Sequence, residues 1–172
     1  VDGTVLASIE TAKVTVICAP STTRTYDGSV QSVEISAMAN GRAFTDFSIK
    51  YMQNGAEVQP VNVGVYTVTA ETSDANYEIL PFSATLTIKS ASQEVFSIEN
   101  VPDNVYYGDT FAVSTDGAEG TVTYSTDNTE IAEIDNNGNV TAKAPGRVSI
   151  IAESTKDGYI SRIAIKKIDI KK

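Results

Sequence analysis

A chain of 172 residues with 22 acidic and 13 basic side chains carries a formal charge of −9. Phosphate backbones are repelled by such a surface, so nucleic acid is excluded as a natural partner. There is no histidine and only one cysteine, Cys18, which rules out imidazole-based triads, His-containing metal sites and any intrachain disulfide.

No apolar run approaches the ~20 residues needed to cross a bilayer, so no membrane insertion is expected within this segment. Residues 1–12, VDGTVLASIETA, have no counterpart later in the chain and read as an N-terminal extension or remnant. Val1 is not an initiator methionine, and the chain is expected to be a piece of a longer protein. A first domain is expected over 13–90. Period-two alternation, as in Tyr66, Val68, Ala70 and again in Ala84, Leu86, Ile88, predicts strands at about 13–18, 32–37, 46–52, 56–59, 64–71, 76–79 and 83–89. Asn40-Gly41 and Asn54-Gly55 are dipeptides suited to the positive φ angles of a tight hairpin.

Ser90-Ala91-Ser92-Gln93-Glu94 then reads as a short joint, too short for a free tether. A second domain, 95–172, is expected to have strands near 95–99, 110–115, 120–126, 131–135, 139–143, 147–154 and 161–170. Asp135 to Asn139 should form a hairpin loop. In the last strand Ile163 and Ile165 fall out of step with Ile168 and Ile170, and a β-bulge at Lys166-Lys167 would bring all four inward. No stretch shows capped helical spacing, so no helix is expected.

The two domains repeat one plan. Gly64, Ala70, Glu71 and Tyr77 recur at the same spacing as Gly146, Ala152, Glu153 and Tyr159, and Leu86 and Ile88 stand where Ile168 and Ile170 stand. Many short strands with turn residues between them read as all-β, two tandem immunoglobulin-like antiparallel β-sandwiches. Tyr77 and Tyr159 are placed to act as tyrosine corners.

The second copy resembles the bacterial immunoglobulin-like group 2 domains through Tyr124-Ser125-Thr126-Asp127-Asn128, Ile131-Ala132-Glu133-Ile134-Asp135, Gly138-Asn139-Val140-Thr141-Ala142 and Gly146-Arg147-Val148-Ser149-Ile150-Ile151-Ala152, with Tyr124 where a Trp is common. The first copy is similar to the MBG/YDG type of module through Thr25-Tyr26-Asp27-Gly28, the stretch Pro60 to Val68, and Ala75-Asn76-Tyr77. The resemblance implies an extracellular or bacterial cell-surface protein in which such modules serve as spacers, stalks or adhesive units. It transfers no catalytic residue and implies no cofactor. Partners would be the neighbouring modules of the same chain and a host or dietary glycan or protein ligand. The alternatives are a carbohydrate- or protein-binding module and an accessory segment of a larger secreted hydrolase.

Carboxylate pairs such as Glu130 with Glu133, or Glu71 with Asp74, have the residue types of a glycosidase, but a sandwich this small offers little room for a catalytic cleft. No catalytic residue is expected. Asp135 to Asn139 has oxygen ligands at alternate positions, yet Gly146 stands where an EF-hand needs a bidentate Glu, so a turn is expected and no metal site. Asp103, Asp109 and Asp127 would have to converge to hold calcium. Lys166, Lys167, Lys171 and Lys172 read as charges guarding a sheet edge. Lys, Asn and carboxyl groups of the kind that form isopeptide crosslinks are all present. For ligand binding the candidate residues are the adjacent aromatics Tyr106 and Tyr107, of which at least one should face out of a strand.

Overall fold

The structure is a computed structural model describing residues 10–172, and the described chain contains strands and turns but no helix. The part of the N-terminal extension before Glu10 lies outside the described residues. Two compact units are present, the first ending at Lys89 and the second spanning Ser90–Lys172.

The first unit contains β1 (Ala12–Cys18), β2 (Ser21–Thr25), β3 (Ile35–Ala39), β4 (Arg42–Phe44), β5 (Ser48–Gln53), β6 (Ala56–Glu57), β7 (Gly64–Glu71), β8 (Tyr77–Ile79) and β9 (Ala84–Lys89). They form a four-stranded sheet, β4-β3-β1-β8, and a five-stranded sheet, β2-β9-β7-β5-β6. Alternation along each strand sends one set of side chains inward: Tyr66 and Val68 from β7 and Leu86 and Ile88 from β9 pack with Cys18 and Ile35 from the other sheet. A second apolar cluster, Val14, Ala37, Ala39 and Phe44, is completed by Phe47, Tyr77 and Ile79. The opposite faces of β7 and β9 carry threonines, with Thr67 directly across from Thr85.

Both Asn-Gly dipeptides close hairpins as expected. Asn40 and Gly41 have φ of 51° and 74°, Asn54 and Gly55 of 52° and 81°, and the flanking pairs are Ala39 with Arg42 and Gln53 with Ala56. Two consecutive positive φ values define the turn whose twist matches that of paired strands.

The second unit contains β10 (Ala91–Ser92), β11 (Ser97–Glu99), β12 (Val105–Tyr106), β13 (Thr110–Ala112), β14 (Ser114–Asp116), β15 (Thr121–Thr126), β16 (Ala132–Ile134), β17 (Asn139–Ala142), β18 (Gly146–Thr155), β19 (Tyr159–Ile160) and β20 (Arg162–Lys171). Its main sheets are β12-β20-β18-β15 and β13-β17-β16, with β11 paired to β14 and β10 to β19. Val148, Ile150, Ala152, Ile168 and Ile170 from one sheet meet Ala132, Val140 and Ala142 from the other in a single core. The repeat extends to backbone conformation: β7 and β18 open on Gly64 and Gly146 with φ of 157° and 151°. At Gly146 the backbone angle favours glycine, and a Cβ would sit 3.0 Å from Ile131 Cδ1, close enough that this side-chain end would have to give way.

Several expectations are corrected. The sheets are not purely antiparallel: β2 runs parallel to β9, β1 to β8, β10 to β19 and β12 to β20. No bulge interrupts the last strand, because β18 and β20 pair in one register from Gly146 opposite Ile170 to Ser154 opposite Arg162. Unbroken alternation therefore leaves Ile163 and Ile165 on the outer face, 55% and 60% exposed, while Ala164, Ile168 and Ile170 face the core. Tyr77 packs its ring 4.6 Å from that of Phe44, and Tyr159 lies under the ammonium of Lys156. A corner-type bond is made by Tyr66, fully buried in β7, whose hydroxyl donates to the Asn62 carbonyl at 2.6 Å. Eighty-two positions later stands Val148, so the second unit has no hydroxyl there to make the same bond.

The short joint is likewise not free. Ala91 pairs with Tyr159 and Ser92 with Ile160, and the buried Gln93 donates to the carbonyls of Ser154 and Ile160 at 2.9 and 3.0 Å. The Ser154 hydroxyl, also buried, donates to Gln93 Oε1 at 2.7 Å and accepts the Gly120 N–H at 3.1 Å. Only Ser90 separates the last paired residue of β9 from the first of β10.

Candidate functional site

Tyr106 and Tyr107 lie where β12 passes into a tight turn. Val105 fills the core, and alternation then sends Tyr106 outward. Tyr107 leaves the strand, its N–H donating to the Lys171 carbonyl at 2.9 Å, and Gly108 follows with φ of 90°. Both rings are consequently exposed, Tyr106 by 47% and Tyr107 by 64%, and neither enters the core. The turn is held from three sides: Asp109 Oδ2 accepts the Tyr106 N–H at 2.8 Å, the Asp109 N–H returns to the Tyr106 carbonyl at 3.0 Å, and the Gly108 N–H reaches the Ala142 carbonyl at 2.9 Å. The Lys171 ammonium stands 5.9 Å from the Tyr106 ring centre and 2.6 Å from Asn104 Oδ1. Two aromatic faces, a cation and an amide on a fixed turn can offer stacking and hydrogen bonds to a polar ligand.

The carboxylates are occupied otherwise. Glu133 pairs with Lys143 at 2.6 Å, and Glu71 and Glu57 share Lys50 at 2.8 and 3.2 Å. Asp74 Oδ1 accepts the Asn76 N–H in a turn. The acids Asp103, Asp109 and Asp127 do not converge: Asp109 caps the tyrosine turn, Asp127 accepts the Ser149 N–H at 2.8 Å, and among the described residues no three His, Cys, Asp or Glu side chains could hold a metal ion. Asp135 closes the expected hairpin, accepting the N–H groups of Asn137 and Asn139, each at 2.9 Å. Lys171 and Asn104 are the residue types of an isopeptide crosslink, but both are exposed. The pair makes a hydrogen bond at 2.6 Å. Cys18 is half-buried against the first core.

The carboxyls that shift all move toward the ionised form. The Asn139 side chain, aided by its N–H, holds Asp135 below the usual carboxylate value, the Ser149 N–H does so for Asp127, and the Arg147 guanidinium for Asp169. A depressed carboxylate contributes stability above its unfolded value of about 4, and the contribution is lost as pH falls through the folded value. The melting temperature of the second unit is therefore expected to be flat above about pH 5 and to decline below about pH 4. Asp135→Asn should make that decline shallower in calorimetry across pH, and an unaltered slope would show that the turn carboxylate plays no part.

Two sandwiches of short strands, with an edge strand running parallel to the last strand of each, define a tandem of immunoglobulin-like modules. Residues 12–92 match the family model of the MBG domain, and residues 105–158 match that of the bacterial Ig-like domain (group 2).

Solved structures similar to the chain include an intimin mutant from EHEC O157:H7, 23% identical over 45% of this chain and 47% of that one, with a TM-score of 0.39. A C-terminal 282-residue fragment of intimin, in complex with the intimin-binding domain of the translocated intimin receptor, is 17% identical over 96% of this chain and 64% of that one, TM-score 0.38. Domains 4 and 5 of the S-layer protein SbsC are 16% identical over 80% and 90%, TM-score 0.36. The chain thus spans about half to two thirds of the length of the two intimin structures. No curated protein matches the chain.

Proposed function

We propose that these two modules form a non-enzymatic spacer or stalk within a larger secreted or cell-surface bacterial protein. The reading is carried by the joint: pairing reaches Lys89 on one side and resumes at Ala91 on the other. A single unpaired residue transmits position where a flexible tether would not. The match of the second module to the bacterial Ig-like family model, next to an MBG-domain match in the first, supports the same reading. Residual dipolar couplings test it. The two modules should report one common alignment tensor, and inserting four Gly-Ser residues after Ser90 should split it into two; separate tensors in the unaltered chain would overturn the spacer.

The exposure of both tyrosine rings favours a second reading, in which the turn around Tyr106 and Tyr107 engages a glycan or protein ligand. A glycan array would settle the choice: saturable binding abolished by Tyr107→Ala would make the segment adhesive in its own right.

A further inference from the structure

The outer edge of β20 is built to accept one more strand. On one side β20 is paired with β18 along its length, but on the other β12 covers only Ile170 and Lys171. Among the described residues no strand pairs with the stretch from Arg162 to Ile168 on that side. The Lys171 carbonyl accepts from Tyr107 across the β12 side. Since backbone groups alternate along a strand, those of Ile163, Ile165 and Lys167 point to the same, unoccupied side. The side chains add a second property. Ile163 and Ile165 project from the outer face, with the half-buried Ile151 directly across from Ile165. Arg162 and Lys166 alternate with them onto the face that carries Ala164 and Ile168, where both remain exposed.

Lysines alone would be an ordinary guard against edge pairing, but a guard has no use for two exposed isoleucines beside it. We infer that the β20 edge binds an extended peptide segment in which apolar and acidic residues alternate, added to the sheet as a strand. Its apolar side chains would cover Ile163 and Ile165, its acidic ones would face Arg162 and Lys166, and its main chain would meet the free N–H and C=O groups. Charge argues for an acidic partner, because Arg162, Lys166 and Lys167 all lie on this stretch and opposite charges directly across a strand pair stabilise it.

The test uses the whole chain in nitrogen-15 NMR, titrated with a capped seven-residue peptide of alternating valine and glutamate and, separately, with its valine–lysine counterpart. Saturable shifts centred on the amides of Ile163, Ile165 and Lys167 are expected with the acidic peptide only, weakening several-fold as salt rises. Ile165→Pro removes one outward N–H and should abolish binding. Lys166→Glu, a surface change that leaves the sheet intact, should weaken it at least tenfold. Equal binding of both peptides, shifts centred elsewhere, no saturation at millimolar peptide, or concentration-dependent dimerisation through the same amides would each overturn the inference.

Discussion

Replacing Ile150 by alanine is expected to destabilise the second unit by about 2–5 kcal/mol and to leave the first unit's unfolding transition where it was. Ile150 is fully buried between the two sheets of its unit, in that unit's own apolar core. Truncation removes three carbons from a core that cannot collapse around the gap without moving β18, the strand paired on both sides by β15 and β20. A module of this size is stable by only about 5–10 kcal/mol, so a large share of its stability goes with one side chain. Urea titration followed through resolved NMR signals of each unit checks this. Equal shifts of both midpoints would mean that the two cores unfold as one, against the separation described above.

Gln93→Ala should cost the second unit about 2–4 kcal/mol, an effect out of proportion to its place in a five-residue connection. Its carboxamide satisfies the buried carbonyl and hydroxyl of Ser154 and the part-buried carbonyl of Ile160. Alanine leaves the Ser154 groups without this partner in a buried place, and the penalty is their desolvation. Hydrogen exchange of the amides in β10 and β19 should accelerate in parallel. A loss under about 0.5 kcal/mol, the usual span of a surface change, would show that water replaces the carboxamide and that the connection is looser than drawn.

The central strands were legible because their chemistry is local. The stretch Gly64–Glu71 alternates cleanly and is found as β7 with the expected ends, and the Asn-Gly pairs fix their hairpins through their own φ preferences. The strand β2, Ser-Thr-Thr-Arg-Thr, was invisible for the opposite reason. As a parallel edge strand it buries almost nothing, so no hydrophobic period marks it. The outward isoleucines of β20 misled because apolar residues were assigned to the core by type, while the small Ala164 is the residue that faces inward there. That Tyr66 has the Asn62 carbonyl within reach of its hydroxyl is a property of the folded chain. Of the candidate site, the exposure of one tyrosine followed from alternation. That of its neighbour follows from the turn closed by the Asp109 N–H on the Tyr106 carbonyl and by Gly108 at positive φ, which ends the strand at Tyr107.

The one-residue gap at Ser90 also bears on cleavage. A protease must draw several consecutive residues, extended and unpaired, into its groove, and here the ladder on either side leaves it too little chain to grip. Cleavage at this point has to wait for β10 and Gln93 to come away from their partners, so the lifetime of the linked pair is set by how often that small corner of the second sandwich opens.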